Sequence, residues 1–304
     1  MSTEGPTATP SLVDLVPAEL QQRLVTRLGD LNMLPGIARQ AMDIAQDPNG
    51  SMEKLANVVE RDVKLAADIL VLANSAIFGG GKKISSLHQA VVRLGLRQCK
   101  NVILSSSVTS LRKKLKLEQQ WAQENLWQHG YATAMLAFML NRILASGFQG
   151  EEYTAGLVHD LGRTLLAVAF PDDFSKIDPL TFDETSIDFE AHERNLLRVD
   201  HSQVGAWFVA MNNFPEALVE AVRYHHRPAP PAPHQRLTLL VAAADHMANH
   251  LQRVKKSEGY DPASNLAVAA LQEGGLRGVV GLVAQNYKSL MDHAAKEARE
   301  MTAL

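Results

Sequence analysis

Asp62-Val63-Lys64-Leu65-Ala66-Ala67-Asp68-Ile69-Leu70-Val71-Leu72-Ala73-Asn74-Ser75 reads as a capped helix. Leu65, Ile69, Leu70 and Leu72 form its apolar stripe at helical spacing. Asp62 precedes the stripe, where its carboxylate can accept from the orphaned N–H groups of the first turn. Towards the N-terminus, Ser51 can cap a helix holding Leu55, Val58 and Val59, and Asp47-Pro48-Asn49-Gly50 forms a turn. Pro35 starts a helix with Ile37, Ala41, Ile44 and Ala45 on one face. Pro17-Ala18-Glu19-Leu20 opens another, with Pro and Glu where a missing N–H and a negative charge cost least. Residues 1–11 read as a disordered tail.

Towards the C-terminus, Gly79-Gly80-Gly81 interrupts the pattern and Ser85-Ser86 restarts it before Ala90, Val91 and Leu94. Further helices are expected at about 124–145, 151–170, 189–211, 214–226, 235–252 and 262–300. Pro171 to Asp188 is acidic and irregular, and Pro228 to Pro233 cannot sustain a helix. No strand-like alternation of useful length occurs, so the expected fold is all-α.

Hydrophobic residues make up 46% of the 304, enough for a sizeable core. Lys and Arg number 30 against 33 Asp and Glu, which gives no global reason to expect nucleic-acid or membrane binding. The single cysteine, Cys99, excludes an intramolecular disulfide and reads as a packed apolar residue. The polar N-terminus lacks a secretory h-region, and the apolar runs fall short of the ~20 residues of a membrane span. A cytoplasmic protein is expected.

Most of the 11 histidines lie between about Glu124 and His250. Seven residues stand out there: His129, His159, Asp160, His201, His225, His226 and Asp245. Imidazole and carboxylate donors suit Fe, Mn, Zn or Ni better than Mg or Ca. Each group sits on or at the end of a separate expected helix, and bundles build metal sites from such converging side chains. His129 precedes Ala132, Met135 and Leu136 at helical spacing, and Asp245 follows Leu239, Leu240, Val241 and Ala242. A carboxylate on so apolar a helix needs a metal or a partner, and a salt bridge to arginine would also serve. His192, His234, His246, His250 and His293 read as ordinary packed or surface residues.

The ordered series H…HD…H…HH…D resembles the HD superfamily of metal-dependent phosphohydrolases, and the extra histidines are similar to the HD-GYP phosphodiesterases of cyclic di-GMP. The N-terminal half resembles one branch, the HDOD domain. That likeness rests on Leu34-Pro35-Gly36-Ile37, Asp62-Val63-Lys64-Leu65, Ile69 to Ala76, Ile84-Ser85-Ser86-Leu87 and Ala90 to Gly95. It continues in Gly156 to Arg163, His201 to Ala206, Asn213-Phe214-Pro215 and Tyr224-His225-His226, spanning roughly residues 25–250.

The resemblance implies an N-terminal HDOD-specific helical bundle (12–120) packed on an HD-like bundle (121–252), with a helical extension at 253–304. It implies a bacterial signalling protein that acts through another signalling protein, in a family without demonstrated phosphohydrolase activity. By position, His129, His159, Asp160 and Asp245 match the core HD site. Asp160 would bridge to a second ion held by His201, His225 and His226, a pairing at ~3.5–4 Å that activates water for attack on phosphate. The sequence departs from HD-GYP where Arg227-Pro228-Ala229-Pro230 replaces an acidic residue and a Gly-Tyr-Pro loop, and where Arg163 replaces a lysine. Asn125 lies four residues before His129, with Glu124 one residue out of register. Hydrolysis of cyclic di-GMP is therefore not expected, although Arg163 and Arg227 could hold a phosphate. The alternatives are a metal-dependent phosphohydrolase acting on a nucleotide or phosphoester, and a nucleic-acid or nucleotide-responsive regulator.

The last alternative draws on nine basic residues between Lys82 and Lys116, a stretch without Asp or Glu. It has no aromatic side chain to stack bases, which favours a solvated basic face. Asn74 and Ser75 can close a turn through backbone groups. Gly95 permits a helix end, Trp127 and Trp207 read as core, and Gly79 to Lys83 lacks the spacing of a phosphate loop.

Overall fold

A computed structural model of the chain describes residues 16–29, 34, 36–75, 83–115, 117–178, 188–228 and 233–302. The expected tail, the triple glycine, Pro35, Lys82 and Lys116 lie outside these residues, as do half of the acidic segment and most of the proline run. The described residues are helical, with no strand among them.

Four helices open the chain: α1 (Ala18–Leu28), α2 (Gly36–Gln46), α3 (Met52–Val59) and α4 (Val63–Asn74). The caps read from sequence are present. Ser51 Oγ accepts from Lys54 N, and Asp62 Oδ1 accepts from Leu65 N at 3.0 Å. The amide of Asn74 clasps the chain ten residues on, donating to Ile84 O at 2.8 Å and accepting from Ile84 N at 2.7 Å. Ser75 Oγ donates to Leu72 O. Both residues thus close a turn.

Against α2, α3 and α4 lies α5 (Leu87–Lys114), whose helical path breaks at Gly95. Its φ of 75° lies where L side chains are strained, which is why glycine stands there. Beyond the break, α5 packs on the second bundle through α7 (Glu151–Val158). In the other join, α1 packs on α8 (Leu161–Ala169). One apolar core runs from Val16 through both bundles to Ala298.

The second bundle is built around α6 (Gln120–Leu144), α7 and α8, followed by the single turn α9 (Phe174–Ile177). It continues with α10 (Phe189–Leu197), α11 (His201–Met211), α12 (Glu216–Tyr224) and α13 (Gln235–Val254). A 3-10 turn (Pro262–Ser264), α14 (Leu266–Glu273) and α15 (Val279–Thr302) close the chain, with α15 laid along α6.

Three expected helices are divided. The helix expected over 151–170 breaks at His159-Asp160. The one over 189–211 breaks at 198–200, where Arg198 takes φ 64° and Asp200 and Gln203 form a reciprocal capping box. The one over 262–300 breaks at Gly274 and Gly275, the latter with φ 100°.

Cys99 is fully buried, and burial pushes its thiol up to about 12, with a backbone hydrogen bond opposing. It should therefore stay inert to a disulfide thiol reagent in the native protein and react at once in denaturant. Rapid labelling of the native chain would show that this helix opens.

Arg112 corrects the reading of a uniformly solvated basic face. It is buried among α5, α6 and α7, with Nη2 donating to Leu157 O at 3.0 Å. Arg97 is also engaged, its Nε donating to Glu151 Oε1 at 2.6 Å. A face shared by all nine cations is thus ruled out by Arg112 alone.

Candidate metal centre

The two helix breaks serve the site. His159 closes α7 and Asp160 precedes α8, so both project from a junction rather than from a helix side. His201 is the first residue of α11, fixed by the Asp200 cap, and His225 and His226 follow the last turn of α12. His129 and Asp245 project from the middle of α6 and α13. Close approach of α8 to α11 at Gly162 and Gly205 holds the Asp160 and His201 ends together.

All seven residues converge, and six are buried; His226 keeps a third of its side chain exposed. Asp160 lies at the middle. Its Oδ2 is 3.4 Å from His129 Nε2 and 3.6 Å from His159 Nε2. Its Oδ1 is 3.5 Å from His201 Nε2 and 3.4 Å from His225 Nε2. On the first side, Asp245 Oδ1 stands 2.9 Å from His129 Nε2 and 3.3 Å from His159 Nε2. On the second, His201 Nε2 and His226 Nε2 are 3.0 Å apart. Donors bonded to one ion at ~2.0–2.2 Å stand about 2.9–3.6 Å from each other in octahedral or tetrahedral geometry. The two groups fall in that range.

The ring tautomers also fit a cation. His159 Nδ1 is 2.8 Å from Gly156 O, and His225 Nδ1 is 2.8 Å from Val222 O. A carbonyl oxygen only accepts, so both Nδ1 atoms carry the proton and both Nε2 atoms present a lone pair to the centre. His201 is oriented the same way by Glu193, whose Oε2 accepts from His201 Nδ1 at 2.7 Å and from its backbone N–H at 2.8 Å. Such backing raises ligand basicity and fixes ring orientation. Lone pairs then face carboxylate oxygens, and Asp160 Oδ1 and His225 Nε2 have no hydrogen-bond partner although buried. A divalent cation relieves that repulsion; an empty polar core would not.

The charges agree. Burial disfavours ionised Asp160, yet His159 and Arg163 outweigh it and hold its carboxyl well below the usual range. Asp245 is likewise depressed, with burial opposed first by the hydrogen bond from His129 Nε2 and then by the nearby His159 ring. Burial alone would lower His201, but Glu193 beside it pushes the imidazole up to about 10, so without a cation Nε2 holds a proton that a metal ion would have to displace. His226 moves well down, through burial and the neighbouring His225 and His201. Among the described residues Asp245 meets no arginine: its partners are His129, His159, His226 Nδ1 at 3.9 Å and Asn249 Nδ2 at 3.2 Å.

Arg163 departs from its expected part as a free phosphate ligand. It is buried, donates from Nε and Nη2 to Asp178 at 3.1 and 2.8 Å, and from Nη1 to Asp160 Oδ2 at 2.8 Å. Two carboxylates thus occupy the edges a phosphate would use, and Arg163 orients Asp160. Arg227 is exposed and ion-paired to Asp188 and to Glu190. The histidines expected to be ordinary stay outside the cluster; His246 and His250 instead meet Tyr260 and Glu258 O.

Sequence reasoning missed Glu193, Asp178 and Asn249. Asn249 lies one turn beyond Asp245 and could have been found by spacing; the two acids carry no local signal. Glu193→Gln should keep the fold but remove the charge behind His201, lowering metal affinity roughly 10–100-fold. Titration against a chromophoric chelator reads this directly; unchanged affinity would leave Glu193 a purely structural acid.

A cavity of about 180 Å³ opens on the cluster, with Asp160, Arg163, His201, His226 and Phe189 on its wall. Among the described residues no helix is long and apolar enough to cross a membrane.

The HDOD domain family profile matches residues 31–228, and the chain belongs to that family. It is 27% identical over 229 residues to an uncharacterized protein of Treponema pallidum, covering 74% of this chain and 43% of that one. The chain thus spans less than half the length of that relative. The fold is shared with an HDOD domain protein of unknown function from Geobacter sulfurreducens, at 24% identity and a TM-score of 0.65, covering 92% of this chain and 99% of that one. It is shared also with a candidate phosphohydrolase of Shewanella amazonensis, at 21% identity and a TM-score of 0.66, covering 92% and 98%.

Proposed function

We propose that this chain is a signalling module of the HDOD type that holds two divalent transition-metal ions and acts through another signalling protein, without hydrolysing cyclic di-GMP. The observation that carries the metal reading is Asp160, each of whose carboxylate oxygens faces its own set of imidazole nitrogens. His129, His159, Asp245 and Asp160 Oδ2 would hold one ion; His201, His225, His226 and Asp160 Oδ1 would hold the other. Fe, Mn, Zn and Ni suit this donor set. Arg163 and Glu193 fix Asp160 and His201 in place.

The preference for signalling over turnover rests on the cavity. Its described wall has one cationic side chain, Arg163, and that is already engaged by Asp160 and Asp178. At about 180 Å³ it is also smaller than the ~300–1,000 Å³ that enclose larger ligands. Positioning supplies ~7–11 kcal/mol of a barrier, and little on this wall would position a dinucleotide.

One observation favours a second reading, a phosphohydrolase acting on a small phosphoester: the cavity reaches Asp160, His201 and His226 directly. Bound ions would there supply Lewis-acid activation of water and of a phosphoryl oxygen. Elemental analysis of protein reloaded with Mn, Fe or Zn, combined with assays on p-nitrophenyl phosphate and cyclic di-GMP, separates the readings. About two ions per chain and no turnover above a His159→Ala variant are expected. Turnover of either substrate that is lost in His159→Ala would replace the signalling reading with the enzymatic one.

A further inference from the structure

Each of three cluster histidines passes its Nδ1 proton to a protein acceptor: His159 to Gly156 O, His225 to Val222 O and His201 to Glu193. His129 does not. Its ring is buried, its Nε2 faces Asp245 and Asp160, and its Nδ1 has no hydrogen-bond partner. His129 also lines a second cavity, about 190 Å³ in volume, between α6, α13 and α15 and apart from the cavity over Asp160.

The wall of this second cavity has two characters. Ala132, Leu251, Ala295 and Ala298 are aliphatic, whereas Gln128 and Gln252 bring amides and Lys255 and Arg299 bring positive charge at the exposed rim. Both polar atoms of the Gln252 amide are buried without a partner. A cation on Nε2 would move the His129 proton to Nδ1. A buried amide and a buried imidazole N–H left unmatched then each cost about 1–3 kcal/mol, so the space calls for an acceptor. An engineered cavity of about 150 Å³ holds a benzene molecule, which sets the scale of what fits.

We propose that the cavity behind His129 binds a small aliphatic monocarboxylate, whose oxygen accepts from His129 Nδ1 and Gln252 and thereby ties ligand occupancy to the hold of the centre on its metal. Both the coupling and the Nδ1–H donor rest on the metal reading above; the Gln252 amide and the aliphatic wall do not. An anionic acceptor on Nδ1–H makes Nε2 a stronger donor, as backing carboxylates do for other metal-bound histidines. The aliphatic wall takes the short chain, and Lys255 at the rim, whose Nζ also donates to Asn125 Oδ1, favours the charged head. The module would then read a metabolite through a ligand ring instead of through the open cavity.

The test uses the full chain, zinc-loaded and metal-free, labelled with 15N-histidine, with butyrate as probe and butyramide as its neutral counterpart. Butyrate should move the His129 Nδ1 resonance and slow zinc loss to a chelator several-fold, with butyramide much weaker. Gln252→Leu and the cavity-filling Ala298→Leu should abolish both effects while zinc content stays at the wild-type level. No ring shift at saturating butyrate, or a shift that persists in both variants, overturns the proposal. A ring shift without slower zinc loss overturns the coupling. If the wild type takes up no zinc, the metal reading fails and His129 keeps its proton on Nε2; calorimetry with butyrate then decides the pocket, binding that is lost in both variants keeping it and no binding overturning it.

Discussion

Asp160→Ala should strip the centre of both ions at once, the largest functional effect expected of any single substitution here. Asp160 faces both donor sets at 3.4–3.6 Å, through Oδ2 on one side and Oδ1 on the other. Its loss leaves one set with two imidazoles and Asp245, and the other with three neutral imidazoles that hold a divalent ion less well. The fold should survive, because Arg163 keeps its paired hydrogen bonds to Asp178. Losing the Nη1 partner costs about 1–3 kcal/mol, a modest drop in melting temperature. Elemental analysis alongside circular dichroism separates metal loss from unfolding. Full metal content in a folded variant would refute the bridging role.

Gly162→Ala should be the most destabilising single methyl addition. A Cβ at Gly162 would lie 1.9 Å from His201 O and 2.9 Å from Gly205 N, both backbone atoms that cannot rotate away. Relief requires α8 and α11 to separate, and these helices hold Asp160 and His201. A loss above about 4 kcal/mol is expected, at the extreme for one substitution and a large share of the ~5–15 kcal/mol that stabilises a typical domain. Denaturant unfolding of the two proteins measures it. A variant within about 1 kcal/mol of wild type would mean that the two backbones do not touch as described.

Helical periodicity made the all-α class legible from sequence, because each helix buries one stripe in a continuous core, while the arrangement in two bundles was implied by the resemblance to the HDOD domain. Local cap chemistry located the starts at Ser51 and Asp62. Junctions within apolar stretches were less visible. Neither His159 nor Asp160 is a helix breaker, so nothing in their identity marks the end of α7. The 198–200 break did leave a trace, the Asp200-x-x-Gln203 pair, hidden inside a run of helix-compatible residues.

The site residues were legible as an ordered series, since imidazoles and carboxylates on apolar helices need partners. Their supports were not. Asp178 looks like a surface acid in an acidic, irregular segment and Glu193 like one on an expected helix, and only folding buries them against Arg163 and His201. Arg112 misled for the same reason: a cation in a basic run looks solvated, yet tertiary packing places it in the interior.

The central claim is that Asp160 joins two metal ions in one centre. Anomalous diffraction from crystals of manganese- or iron-loaded protein, measured across the metal edge, tests it most directly. The account predicts two peaks, one on each side of the Asp160 carboxylate. The first should be ligated by His129, His159 and Asp245, the second by His201, His225 and His226. A single peak, or peaks that leave Asp160 touching only one ion, would contradict it.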